Sequence, residues 1–193
     1  MVETLKQWDR DLFIWLNSLG IEDYDGFWLF VTQIKSWIPL FILFFILIFA
    51  YYGPKKGSIV IIFLLSTFLL TLGVTDLTKE YVGRLRPNNV EALGELIRIL
   101  QKPTNFSFFS GHSSSSFSIT TFMVLILRPF TKWIYLAYLW PFIFVLSRIY
   151  VGVHYPSDIL VGAMVGTGFA ILFYLLCVKT LTKIEKYPFF TPK

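Results

Sequence analysis

Long apolar runs separated by short polar turns give this chain its pattern. The first run covers residues 27–52; Gln33, Lys35 and Ser36 interrupt its entry, and 37–52 is almost wholly apolar. A helix that crosses a bilayer needs about 20 residues, so this run is long enough. Gly53, Pro54, Lys55 and Lys56 then form a tight basic turn. The second run, 57–75, continues as a more polar helix toward Arg84. A third starts after Gly111 and ends near Leu127, and Arg128 to Lys132 form another basic turn. The fourth covers about 133–146 and the fifth 159–178, followed by a basic tail. The pattern predicts an all-α integral membrane helix bundle of about five spans.

Two segments depart from it. Residues 4–18 place Leu5, Trp8, Leu12, Trp15 and Leu16 at helical spacing, with Lys6, Asp9 and Asp11 elsewhere. This is too polar to span and predicts a helix at the membrane interface, where Trp is favoured. Residues 87–109 are the longest polar connection. Within them Leu93, Leu96, Ile97 and Leu100 share one side, which predicts a short surface helix over 90–100, placed as a lid. The chain is read as one membrane domain, 1–193, with an interfacial helix in 1–26 and a core in 57–180 that carries the motifs below.

Composition supports lipid as the solvent. The chain is 55% hydrophobic and only 15% charged, with 21 Phe, and its mean hydropathy is +0.65. Soluble domains carry roughly 25% charged residues. The lone Cys177 sits in an apolar run and is read as a small buried hydrophobe. The net charge of +5 does not point to nucleic acid, because the basic residues sit at run ends and in motifs rather than in one basic stretch. Glu3, Asp9, Asp11, Glu22, Asp23 and Asp25 do not fit a positively charged secretory leader. Five spans put both basic turns and the C-terminus on one side, with eight Lys and Arg. The positive-inside rule makes that side cytoplasmic and turns the motif loops outward.

Three polar clusters interrupt the apolar chain. Lys79 and Arg86 are seven residues apart, on one face if the helix persists, and Pro87 follows. They are either snorkelling anchors or an anion site. Ser110, Gly111 and His112 open the third run: Ser110 suits an N-cap, and helix-start N–H groups attract anions. His112 alone would be an ordinary interface residue. In the third cluster Arg148, His154 and Asp158 follow Ser147. Pro156 suits the first position of the fifth helix. Asp158 can then accept from one His154 ring nitrogen and leave the other free as a nucleophile. The alternative is a structural Arg148–Asp158 pair with His154 between. Together the clusters put cations, both histidines and a carboxylate on one side of the membrane, a set suited to phosphoryl transfer.

The pattern resembles the type 2 phosphatidic acid phosphatase superfamily, whose motifs are KxxxxxxRP, PSGH and SRxxxxxHxxxD. Lys79, Arg86 and Pro87 match the first; Ser147, Arg148, His154 and Asp158 match the third. In the second, Ser110, Gly111 and His112 match, while Phe109 replaces proline, which should slightly loosen the approach to the helix. The resemblance covers about residues 57–180. It implies a metal-free phosphatase without cofactor, with His154, His112 and Asp158 as catalytic residues. His154 would become a phosphohistidine, Asp158 would orient it and His112 would protonate the leaving oxygen. Lys79, Arg86, Arg148, Ser110 and Gly111 would bind phosphate. Arg84 and Asp76 lie outside the motifs, and Asp76 is placed to pair with Lys79.

An outward site beside the bilayer suits a lipid phosphate. Undecaprenyl diphosphate is the first choice, in a bacterial inner membrane with the site facing the periplasm or exterior. Phosphatidylglycerophosphate, phosphatidate and lipid A are alternatives. Two further classes are a vanadate-dependent haloperoxidase, which the apolar spans oppose, and a non-catalytic membrane protein, which intact His112, His154 and Asp158 oppose. Gly162 and Gly166 make a GxxxG, read first as packing inside the bundle and second as a homodimer contact.

Overall fold

Gly53 folds the longest helical segment back on itself. The structure, a computed structural model, describes residues 2–184; Lys186 and Lys193 of the basic tail lie outside the described residues. Helix α3, Ile38–Val82, is continuous except at Gly53, whose φ of 68° and ψ of 177° are non-helical. Glycine reaches positive φ without steric cost. Pro54 then starts the second arm, where its missing N–H costs nothing. The arms, 38–52 and 54–82, face each other: Phe41, Phe44 and Phe45 line one apolar groove with Ile61, Leu64 and Leu65.

Helix α4, Gly111–Leu127, runs through the middle of the molecule and meets α3, α5 (Leu139–Tyr150) and α6 (Pro156–Ile184). Phe122, Met123 and Leu127 on α4 are fully buried and pack with Ile48, Val60, Phe144, Ala170 and Cys177. The outer faces are apolar too. Ile42, Leu65, Leu69, Leu160, Met164 and Leu175 are all exposed. Apolar faces on this scale require a lipid surround. Among the described residues, three stretches are long and apolar enough to cross a membrane: Ile34–Leu93, which holds both α3 arms, Lys132–Tyr150 and Pro156–Ile184. The architecture is an all-α membrane bundle.

Gly162 and Gly166 explain how tightly α6 approaches α4. A Cβ on Gly166 would stand 2.1 Å from the Ser114 carbonyl oxygen, and one on Gly162 would stand 2.8 Å from that of Ser110. The GxxxG surface is therefore covered by α4 from the same chain.

Helix α1, Val2–Ser18, turns its apolar stripe outward: Leu5, Trp8, Leu12 and Trp15 are exposed. Its other face is docked. Phe13 and Asn17 are fully buried, and the Asn17 amide donates to the carbonyls of Arg98, Ile149 and Tyr150. Helix α2, Asp25–Val31, follows.

The surface helix expected over 90–100 does not form. Two short 3-10 turns, Pro87–Asn89 and Glu91–Leu93, take its place. Leu93 is only 2% exposed and packs with Phe13, Val145 and Ile159. Polar anchors hold the rest: the Arg98 N–H donates to Asn17 Oδ1 at 2.7 Å, and the Leu100 N–H donates to the Val151 carbonyl at 3.1 Å. Extended backbone pinned at these points satisfies more partners than a helix lying loose on the surface would.

Candidate active site

Three chain segments converge at one end of the bundle. The first leaves α3. The helix does not persist to Arg86, as the spacing to Lys79 suggested. It stops at Val82, where Gly83 (φ 62°) donates its N–H to the Lys79 carbonyl at 2.9 Å. This left-handed glycine cap is a common helix stop. The chain is extended at Arg86 (φ −71°, ψ 154°). Lys79 and Arg86 thus reach one site by a turn rather than by sharing a helical face. Both are buried, at 8% and 4% exposure.

The second segment opens α4. Ser110 is its N-cap, with the side chain accepting from the Ser113 N–H at 3.3 Å. Phe109 before it is buried. The approach is tied to α6, where the Ser110 N–H donates to the Asp158 carbonyl at 3.0 Å. The Ser113 hydroxyl donates to the Ile159 carbonyl at 2.7 Å. Gly111 faces Lys79: a Cβ there would lie 3.6 Å from Nζ, in ordinary contact. His112 is half-buried, with its ring 4.8 Å from that of Phe144.

The third segment leaves α5 after Arg148 and enters α6 at Pro156. His154 and Asp158 are fully buried. His154 Nδ1 lies 3.3 Å from Asp158 Oδ2, and Nε2 lies 2.8 Å from Arg86 Nη1. Arginine can only donate, so Nε2 is the accepting nitrogen and the proton sits on Nδ1, facing Asp158. Burial, reinforced by the fields of Arg86, Arg148 and Lys79, pushes the His154 imidazole well below the ordinary histidine value of 6.5. It is held neutral, with one lone pair aimed into the cationic cluster.

Side chains from distant segments orient the cations. Arg86 donates to the Asn105 carbonyl and side-chain oxygen and to the Val153 carbonyl. Arg148 donates to Thr32 Oγ1 and to Gln101 Oε1, while its Nε is buried without a partner among the described residues. Arg148 does not pair with Asp158; Arg84 does, at 2.8 Å. Asp76 is exposed, and its charge acts on Lys79 from a distance rather than in a close ion pair. All eight residues singled out in the sequence border the site, with Lys79 and His112 within electrostatic reach of Arg86 and Arg148.

The order and spacing of these residues match a family as well as a chemistry: residues 59–181 fit the sequence profile of the PAP2 superfamily. The chain belongs to the PAP2 superfamily. It is similar to a lipid A 4'-phosphatase of Bacteroides thetaiotaomicron, 29% identical over 96% of this chain and 84% of that protein. It is also similar to an undecaprenyl-diphosphatase of Sulfolobus acidocaldarius, 29% identical over 84% of this chain and 75% of the relative. Its fold matches the crystal structure of a transmembrane PAP2 type phosphatidylglycerolphosphate phosphatase from Bacillus subtilis with a TM-score of 0.70, covering 95% of this chain and 89% of that one at 20% identity. That likeness is one of fold; the family model and the named relatives support a membrane phosphatase.

The PAP2 motifs leave several of the supporting residues unmarked. Asp9, Thr32, Gln101 and Asn105 are polar residues in segments with no motif. Asp9, Phe13 and Asn17 recur every four residues and so share a helical face; that stripe was the available signal, hidden because its ends are polar. Arg84 stands two residues before Arg86 and was visible, but nothing in the sequence showed that its partner would be Asp158.

Proposed function

We propose that the protein releases phosphate from a membrane lipid through a phosphohistidine on His154. One observation carries this reading: a buried imidazole held between Asp158 and Arg86, with Nε2 facing a cluster of three cations. The His154 Nε2 lone pair forms the N–P bond as the P–O bond to the lipid breaks. With the anionic phosphate bound beside it, His112 holds a proton, which it gives to the leaving oxygen. Water then attacks phosphorus, the N–P bond breaks, and His112 takes the proton from water. Lys79, Arg86 and Arg148, with the Gly111 N–H and Ser110, hold the phosphoryl oxygens and balance charge in the transition state. Asp158 keeps the proton on Nδ1 and stabilises the positive ring of the intermediate. The groups facing the phosphoryl position are cationic, a poor cradle for a divalent metal, so the chemistry is proposed to be metal-independent.

The preferred substrate is a phosphorylated glycolipid of the lipid A type, because the similarity to a lipid A 4'-phosphatase extends over 96% of the chain. This revises the first expectation. Undecaprenyl diphosphate is the second reading, supported by the relative that bears that activity in its name. The site is taken to face the outside of the bacterial cytoplasmic membrane, from the distribution of Lys and Arg. The test is phosphate release by purified protein in detergent from lipid A, undecaprenyl diphosphate, phosphatidylglycerophosphate and phosphatidate in competition, with and without chelator. Turnover that disappears with chelator would overturn the metal-free mechanism, and no phosphate release from any lipid would overturn the whole reading.

A further inference from the structure

Asp158 has a different partner on each oxygen. Oδ2 accepts from the Tyr155 N–H at 3.0 Å and faces His154 Nδ1. Oδ1 accepts from Arg84 Nη1 at 2.8 Å. Arg84 is itself held on its other sides. Its Nη2 donates to Asp9 Oδ2 at 2.7 Å, its Nη1 also donates to Ser157 Oγ at 2.8 Å, and its guanidinium lies 3.9 Å from the centre of the Tyr155 ring. Asp9 belongs to α1, outside the residues that match the family profile.

Asp9 also reaches α6 directly. Its Oδ1 accepts from the Ser157 N–H at 2.9 Å, and its Oδ2 accepts from the Ser157 hydroxyl. The first N–H groups of a helix have no partner within the helix, and a carboxylate there is favoured by the helix dipole. α1 supplies that carboxylate from another part of the chain. Phe13 anchors the same face of α1, with its ring 5.4 Å from that of Tyr155.

We propose that Asp9 and Arg84 are positioning residues for the nucleophile: α1, through Asp9, fixes Arg84 and the start of α6 so that Asp158 keeps Oδ2 on His154. This rests on the phosphatase reading above. Two physical effects support it. A carboxylate can rotate about its Cβ–Cγ bond, and Arg84 on Oδ1 prevents that. Arg84 alone would also neutralise the charge Asp158 must offer to a developing cationic ring. Asp9 offsets this, so the Asp9–Arg84–Asp158 set keeps one net negative charge beside His154. The charged and titratable groups around His154 from the other elements are Lys79 on α3, Arg86 just after it, His112 on α4 and Arg148 on α5, so without Asp9 these cations would go uncompensated.

The test uses the full chain with Asp9→Asn, which keeps an acceptor oxygen and removes the charge, and with Arg84→Gln. With a lipid phosphate the wild type turns over, kcat is expected to fall about 10–100-fold in both variants, as for other residues that orient a reacting group, and KM is expected to stay nearly constant. Arg84→Ala should regain turnover when guanidinium ion is added. An unchanged kcat with a lowered melting temperature would show that α1 only stabilises the fold, and would overturn the proposal. A second readout needs no substrate. In protein labelled with 15N-histidine, and assigned with His112→Gln, His154 of the wild type should show the Nδ1–H tautomer. Both variants should show a mixture of tautomers. An unchanged tautomer would overturn the proposal even in a protein that releases no phosphate, so its failure and that of the phosphatase reading are separable.

Discussion

Arg86 Nη1 donates to His154 Nε2 across 2.8 Å. The proposed nucleophile is thus held by one of the groups that should bind its target. A phosphoryl group entering the cluster gives Arg86 a better acceptor, an anionic oxygen, and frees the nitrogen as it binds. Lysine cannot reproduce this, because Arg86 uses its planar fork to hold Asn105 and Val153 as well. Arg86→Lys is expected to lower kcat/KM by about 100-fold or more, on the scale of losing one preorganised donor, and His154→Ala should abolish phosphate release. Steady-state kinetics on a lipid phosphate check both; near wild-type turnover by Arg86→Lys would contradict the role given to Arg86.

His112 meets the ring of Phe144 and makes no side-chain hydrogen bond among the described residues. It is free to meet a leaving oxygen. A diphosphate expels a phosphate, a far better leaving group than an alkoxide, and needs less help from an acid. His112→Ala should therefore slow phosphomonoester hydrolysis more than diphosphate hydrolysis. The ratio of the two rates in variant and wild type decides the matter, and equal losses would remove His112 from the leaving-group step.

The His154 imidazole is held well below 6.5 in the folded chain, first by burial and then by Arg86, Arg148 and Lys79. It should stay neutral at neutral pH and take a proton only in acid. The sign for stability follows. As pH falls below 6.5 the unfolded chain binds a proton at this position and the folded chain does not, so acid should destabilise the protein. A 15N-histidine titration of the free protein should put the midpoint of His154 below 6.5, and Arg86→Gln should move it up. A midpoint at or above 6.5 in the wild type would contradict an imidazole held down by burial and the neighbouring cations.

The residues of the candidate site were easier to read from the sequence than the path that assembles them. Lys79, Arg86, His112, His154 and Asp158 were legible because charged side chains in an apolar chain are few and costly. The bundle was legible from the length of the apolar runs, and the Gly53 turn from its Gly-Pro pair. The geometry around the site was not. Helical spacing gave the wrong reason for the meeting of Lys79 and Arg86, since a one-residue glycine stop at Gly83 decides it. Periodicity gave a helix over 90–100, but Asn17 and Val151 offered that backbone better partners. Arg84–Asp158 joins residues 74 apart, and such long-range pairs leave no periodic trace.

Gly166 controls how the two halves of the site meet. α4 carries His112, α6 carries Asp158, and their separation is set where Gly166 touches the Ser114 carbonyl, 2.1 Å from where a Cβ would stand. That neighbour is backbone and cannot swing away, so Gly166→Ala must push the helices apart. The cost should be about 1–3 kcal/mol, typical of overpacking a close contact. The same displacement strains the bonds from Ser113 to Ile159 and from Ser110 to Asp158, which hold the two motifs in register. Turnover should therefore fall even where the protein remains folded. Gly168, two residues on in the same helix, has nothing within 4 Å of its Cβ position. Gly168→Ala should be neutral or slightly stabilising, by up to about 1 kcal/mol from helix propensity. Melting temperature and phosphate release in detergent, measured on both variants, separate the contact from the propensity. Equal behaviour of the two would show that helix separation at Gly166 does not control the site.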